Sequence, residues 1–333
     1  MNLSDLDYSF PPELIALHPP KERGTSHLMR LDRKTGEISH HRFAEFSSFF
    51  QKGDLLIVND SKVFPARLLA AKKTGGKIEI LLVREVEPHL WECLVTGKVR
   101  SDEELKFSDE LSGIVLGEGE NRRIRLSYEG DLLPILEKIG HVPLPPYIKR
   151  PDEPDDRKRY QTVYAEPIGS IAAPTAGLHF TPEILEALKA KGVQIAPVTL
   201  HVGPGTFLPI RSENLADHKM HREYYEIPES TALAIRKAKK DGRQVCVVGT
   251  TAVRALESSL GEAGKGSTEK FIFPPYEFKI VDRLLTNFHQ PRSSLLALVS
   301  AFAGLEAVQQ AYAAALAEKY RLFSYGDCLW IAS

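Results

Sequence analysis

Three stretches, KIEILLV at residues 77–83, HLWECLV at 89–95 and RRIRLSY at 122–128, are strand-length runs rich in apolar, β-branched and aromatic residues. Gly75-Gly76, Gly97, Gly113, Gly117 and Gly119 punctuate them, and no long helical pattern intervenes. Short strands at regular spacing predict a small barrel between about Arg67 and Tyr128. Outward from it, DLLIV at 54–58 reads as a buried strand of a different unit, and beyond Thr181 the rhythm becomes strand then helix, the pattern of a sheet covered by helices. Pro143, Pro145, Pro146, Pro151 and Pro154 stiffen the connection, because each fixes φ and lacks an N–H. The expected fold is therefore α/β: a large α/β domain, discontinuous over 1–62 and 150–333, with a small antiparallel β-barrel domain inserted at 63–149. Two consecutive domains divided near Arg150 are the alternative.

In the larger unit, Thr181-Pro182-Glu183 supplies an N-cap, a proline at the first helical position and an acidic first turn, and Gly192 ends the helix. Strands are expected at 193–202 and 244–248, helices at 229–241 and 251–259, one long helical region from Ser293 to about Lys319, and a closing strand at 327–331.

With 43% hydrophobic and 26% charged residues, the 333-residue chain is neither disordered nor a coiled coil. Lys and Arg (43) nearly balance Asp and Glu (44), so an anionic partner has to be held by local patches. Cys93, Cys246 and Cys328 are far apart, which fits a reducing compartment and gives no zinc or disulfide framework. No basic leader precedes an apolar run, so a soluble cytosolic protein is expected, and a monomer in the absence of heptads.

Five segments can carry chemistry. Ala173 to Thr181, with Thr175, Gly177 and His179, runs into the capped helix, where amides and dipole favour an anion; alternatively Gly177 only permits a turn and His179 packs. Thr199 to Phe207 holds His201 on a strand followed by Gly203 and Gly205, a proton carrier beside flexible backbone or simply a packed histidine. His218 and His221, with His201 or His289, are the candidates for a metal site, although HExxH and cysteine patterns are absent. Val247 to Glu257 reads as strand, glycine turn and helix, presenting Thr250, Thr251 and Arg254 to an anion, with neither GxGxxG nor a Walker lysine. Asn287, His289 and Asp327 come from Leu285 to Pro291 and Phe323 to Asp327; end-capping is the other reading of Tyr325 and Asp327. Basic clusters at Lys72-Lys73, Arg122-Arg123 and Arg157-Lys158-Arg159 are solvated faces or a phosphate track.

Taken together, Asn59 to Arg67, Pro143 to Ile148, Arg159 to Tyr164, Ala173 to Thr181, His201 to Phe207, Gly249 to Ser258, Thr286 to His289 and Ser324 to Asp327 resemble, in order, the S-adenosylmethionine:tRNA ribosyltransferase-isomerase family of queuosine biosynthesis. The matches span nearly the whole chain. Pro204, Pro275 and Leu329 depart from the usual alanine, glycine and methionine, which puts local loop geometry in question.

The resemblance implies that the ribosyl part of S-adenosylmethionine moves to 7-aminomethyl-7-deazaguanine at the tRNA wobble position. Epoxyqueuosine forms, adenine and methionine leave, and S-adenosylmethionine is a consumed cosubstrate with no metal. The sulfonium acidifies the ribose 5′ carbon, a base makes an ylide, adenine departs, the amine attacks C1′, and epoxide closure expels methionine. His179, His201 and His289 are the candidate proton carriers. Thr175, Gly177, Gly203, Thr250, Thr251, Arg254, Glu257, Asn287 and Asp327 are the candidate cosubstrate contacts, and Arg67, Tyr147, Arg159 and Tyr160 the candidate tRNA contacts. The rivals are a noncatalytic RNA-binding protein and a metal-dependent hydrolase built on His201, His218, His221 and His289.

Overall fold

The computed structural model describes residues 1–71, 76–119, 122–203, 205 and 210–332, so Pro204 and Thr206-Phe207 of the glycine segment, and Lys72-Lys73, lie outside the described residues. The strands before the barrel are β1 (His27–Asp32), β2 (Ile38–Arg42), β3 (Leu55–Asn59) and β4 (Lys62–Val63). Those of the barrel are β5 (Arg67–Ala71), β6 (Lys77–Glu87), β7 (Leu90–Thr96), β8 (Glu104–Lys106), β9 (Ser112–Leu116) and β10 (Arg123–Ser127). After it come β11 (Ile168–Ser170), β12 (Gln194–His201), β13 (Glu223–Ile227), β14 (Val245–Val248), β15 (Gly264–Thr268), β16 (Arg283–Asn287) and β17 (Cys328–Ala332). The helices are α1 (Leu132–Ile139), α2 (Asp156–Arg159), α3 (Pro182–Ala190), α4 (Glu229–Lys240), α5 (Thr250–Ser259), α6 (Ser294–Ala303) and α7 (Leu305–Ala317).

Nine strands form the large sheet in the order β15-β13-β12-β3-β14-β16-β17-β1-β2, with β12, β3, β14 and β16 mutually parallel at its centre. All five β3 residues are buried, and its period of two sorts them onto two faces. Leu55 and Ile57 join Val253, Leu256, Leu298 and Val308 beneath α5, α6 and α7, while Leu56 and Val58 join Phe43, Phe46, Phe180 and Trp330 on the opposite side. Covering both faces is what turns the expected DLLIV run into a central strand. The Thr181 N-cap forms as expected, its hydroxyl accepting from the Ile184 amide at 3.4 Å.

The chain leaves the large sheet after β3 and rejoins it beside β3 as β12. Between them a second sheet of six antiparallel strands, β5-β6-β7-β10-β9-β8, curls until β5 lies against β8, making a nearly closed barrel. Leu68, Ile80, Leu82, Val115 and Ile124 fill it, and Ile135 and Leu136 of α1 pack against this core.

The single long helix expected from Ser293 to Lys319 is two helices, α6 and α7, which meet at 112°. Gly304, at φ +89°, makes the break. Among the described residues no single helix is long and apolar enough to cross a membrane.

Candidate functional site

Parallel strands β12, β3, β14 and β16 end side by side, where open α/β sheets place ligands, and the chain leaving them encloses a polar pocket of about 60 Å³. β14 passes through Gly249, at φ +86°, directly into α5, and no side chain caps that helix. The first amides of α5 therefore present the positive end of the helix dipole beside Thr250 and Thr251, which line the pocket. Asn59, at the end of β3, holds this corner: its Nδ2 donates to Thr251 Oγ1 at 3.1 Å and to the Leu200 carbonyl at 3.0 Å. Thr175, from the 3₁₀ turn Thr175–His179, Asn287, at the end of β16, and His289, just after it, complete the walls.

Asn287 Nδ2 donates to the Phe323 carbonyl at 3.1 Å and faces His179 Nε2 at 3.3 Å. His179 Nε2 is therefore the acceptor, its proton sits on Nδ1, and Nδ1 donates to Ser26 Oγ at 2.9 Å. Burial pushes the His179 pKa down to about 3, with Arg23 and Arg321 adding to the effect. His289 Nε2 lies 2.6 Å from Thr286 Oγ1, and burial likewise pushes its pKa down to about 3. Both imidazoles are neutral at pH 7.

Beside this pocket opens a cleft of about 800 Å³ between barrel and sheet. Trp91, Arg84 and Leu132 face it from the barrel side, and His201, Glu223 and Tyr224 from the sheet side. Arg84 stacks over the Tyr224 ring at 4.8 Å. Gly169 backs the His201 ring so closely that a Cβ there would lie 2.7 Å from Nδ1, and burial lowers the His201 pKa against an opposing effect of Glu226. Val202 lines both compartments. Its amide donates to Ser170 Oγ at 2.9 Å, and that hydroxyl donates to Ser61 Oγ at 2.8 Å, so the partition is fixed from behind.

The single convergent pocket expected for the three histidines and Arg254 is thus two compartments with a shared wall. His289 belongs to the pocket and His201 to the cleft; His179 sits behind Asn287 with both ring nitrogens engaged. Arg254 points the other way, into a buried ion pair with Glu223, whose other oxygen accepts from the Gly203 amide at 3.0 Å. Gly203 lines the cleft. Glu257 is occupied by the amides of Lys279, Ile280 and Val281 and by the Tyr276 hydroxyl, and Asp327 by the amides of His27 and Arg321. Neither carboxylate lines the pocket; both tie distant loops to the fold. Gly177 is required sterically, since a Cβ would lie 2.2 Å from the Tyr164 hydroxyl.

The expected tRNA contacts divide between the domain connection, where Arg67 and Arg159 were expected, and the polar pocket. Arg67 pairs with Asp152 at 3.1 Å, and Arg159 donates to the Pro20 carbonyl at 2.5 Å, so both guanidiniums stitch the domain connection. Tyr147 and Tyr160 line the polar pocket, where Tyr147 bonds Ser324 and the buried Tyr160 hydroxyl lies against Ala173 and Ser324. His218 packs edge-on against Phe271, His221 lies by Gly205, and no group of three His, Cys, Asp or Glu converges among the described residues. Asn59, Trp91 and Glu223 were not expected at a site. Asn59 opens the first of the resembling segments and Glu223 follows His221 closely, but neither carries an expected role, and Trp91 reads only as part of a strand run.

The model of the family described as queuosine biosynthesis protein matches residues 3–331. The chain belongs to this family. The S-adenosylmethionine:tRNA ribosyltransferase-isomerase of Syntrophotalea carbinolica is 50% identical over 342 residues, covering 99% of this chain and all of the relative. The enzyme of the same name from a Sulfurihydrogenibium species is 48% identical over 336 residues, with 99% and 100% covered. The crystal structure of S-adenosylmethionine tRNA ribosyltransferase from Thermotoga maritima matches with a TM-score of 0.57 at 39% identity, covering 98% of this chain and 100% of that one. A family whose enzymes unite a small-molecule donor with a tRNA needs two adjoining sites of different character.

Proposed function

We propose that the chain transfers the ribosyl group of S-adenosylmethionine to the aminomethyl group of 7-aminomethyl-7-deazaguanine in tRNA, giving epoxyqueuosine, adenine and methionine. The observation that carries this reading is Val202, one residue forming a wall of both the small polar pocket and the larger aromatic cleft. The pocket takes the donor, with its methionine carboxylate at the α5 amides beside Thr250 and Thr251. The cleft takes the modified base, with Trp91 and Tyr224 as stacking surfaces and Arg84 and Arg222 at its rim near tRNA phosphates.

The residues divide the proton work. His289 is the candidate base on the donor side, where the sulfonium acidifies the ribose 5′ carbon. His201 is the candidate acceptor for a proton of the attacking amine. Burial keeps each neutral at pH 7, so a ring lone pair is present to take a proton, and the same burial makes each a weaker base than a solvated imidazole. His179 acts through Asn287, which it orients. At about 60 Å³ the pocket is well below the usual ligand-site range of about 300–1,000 Å³, so donor binding moves its walls apart. The inserted unit at 63–149 supplies one side of the cleft, and a cytoplasmic monomer completes the reading. Incubating the protein with precursor-bearing tRNA and S-adenosylmethionine tests it: mass spectrometry should find free adenine in proportion to modified tRNA. Bound tRNA without adenine release overturns it in favour of an RNA platform.

A further inference from the structure

We infer that Asn287 Oδ1 reads the exocyclic amino group of the donor's adenine and makes the pocket selective for adenosyl over inosyl donors. This rests on the reading that the polar pocket holds the donor. The amide can point only one way. Its Nδ2 faces three acceptors: the Phe323 carbonyl at 3.1 Å, His179 Nε2 at 3.3 Å and the Asp327 carbonyl at 3.5 Å. A flipped amide would set its oxygen against two carbonyl oxygens, so Oδ1 is fixed as the outward acceptor. That oxygen is buried and has no donor among the described residues, although Asn287 is only 1% exposed. A buried acceptor left unmet is destabilising, and a ligand donor at the same place removes that cost.

The surroundings say which part of the donor supplies it. The helix N-terminus and the hydroxyls of Thr250 and Thr251 line the pocket and suit the carboxylate. The wall around Phe323, whose carbonyl holds the Asn287 amide, is aromatic: Tyr147 and Phe323 pack with ring centroids 4.9 Å apart, and Tyr160 adds a third ring. Flat rings beside an unmet acceptor suit a purine, which stacks and hydrogen-bonds in one plane. Adenine presents an amino donor at its 6 position; hypoxanthine presents a carbonyl there, setting oxygen against oxygen. A site built to meet one donor rejects the analogue lacking it, because its own buried group is then left unpaired.

Calorimetry with S-adenosylhomocysteine and S-inosylhomocysteine as probes tests this on the full-length protein. The unaltered chain should bind the adenosyl probe at least about tenfold more tightly, and Asn287→Ala should bring that ratio below about threefold. His179→Phe, which keeps a ring beside Phe43 but removes the acceptor holding the amide, should lower the ratio while leaving tRNA affinity unchanged; it serves if Asn287→Ala does not fold. An unchanged ratio in a folded variant overturns the inference. So does a variant in which preference over the 2′-deoxyadenosyl probe disappears instead, since the amide would then be reading ribose. Thr251→Val separates this failure from failure of the pocket itself. If it weakens both probes alike while Asn287→Ala leaves their ratio intact, only the inference falls; if neither substitution affects either probe, the donor lies elsewhere.

Discussion

The polar pocket and the cleft share Val202 and little else. The pocket is built from the ends of parallel strands, is small, and holds a buried acceptor, Asn287 Oδ1, that has no donor among the described residues. The cleft is over ten times larger, is walled partly by the barrel, and presents Trp91, Tyr224 and paired charges such as Arg84–Glu92 and Arg222–Glu269. On the proposed function, the difference teaches that recognition of a small polar donor, which needs enclosure and satisfied hydrogen bonds, is separated from recognition of a base on a large polyanion, which needs access and flat surfaces. Reaction requires both to meet at the partition.

The comparison can be broken first by removing what holds the partition's neighbour. Arg254→Ala leaves Glu223 buried without its partner and should cost about 3–5 kcal/mol of folding stability, measured by urea unfolding. Donor affinity of the folded fraction should hold, in contrast to the direct carboxylate contact expected from sequence. Gly169→Val places carbon into the His201 ring and should lower turnover on the order of 100-fold, while donor binding by calorimetry stays unchanged. Loss of donor affinity there would merge the two compartments.

Acid should act on the pocket. His179 and His289 keep pKa values of about 3 in the folded chain, against about 6.5 when unfolded, so the unfolded state binds more protons in between. Their contribution is full above pH 6.5 and is lost as pH falls from there towards 3. At pH 5 each should have cost about 2 kcal/mol, and His179→Phe should flatten the slope of unfolding free energy against pH. A slope unchanged by that substitution contradicts the neutral, buried imidazole. Trp91→Ala should weaken tRNA binding roughly tenfold without moving donor affinity, read by filter binding. The smallest effect is Thr251→Val: loss of one hydroxyl, which accepts from Asn59, should cost about 1 kcal/mol of donor affinity and leave tRNA binding alone.

Much of this architecture was legible before the coordinates. Leu55 to Val58 are apolar at every position because both faces of β3 are covered, and Thr181-Pro182-Glu183 is a local signal that packing had no reason to override. What escaped was decided by distant partners. β15, Gly264–Thr268, has little strand character and exists because β13 offers it a ladder, and β1 and β2 take their places from the closing strand β17. The six-strand barrel showed only three of its strands, since β8 has three residues and β5 is half alanine-sized at its end. At the site, the strand-end loops were readable because glycine turns and helix starts are local. Which way Arg254, Glu257 and Asp327 point was not, because the carboxylate and amides that claim them come from remote segments. The same blindness hid Trp91 and Glu223, which become neighbours only when the barrel docks on the sheet.

The central claim is that donor and base occupy separate compartments divided by Val202. A crystal structure of the protein with S-adenosylhomocysteine bound tests it most directly. The carboxylate should sit on the Thr250 and Thr251 amides, adenine against Asn287, and the ribose toward Val202. Density for the ligand in the cleft beside Trp91, with the polar pocket unchanged, would contradict it.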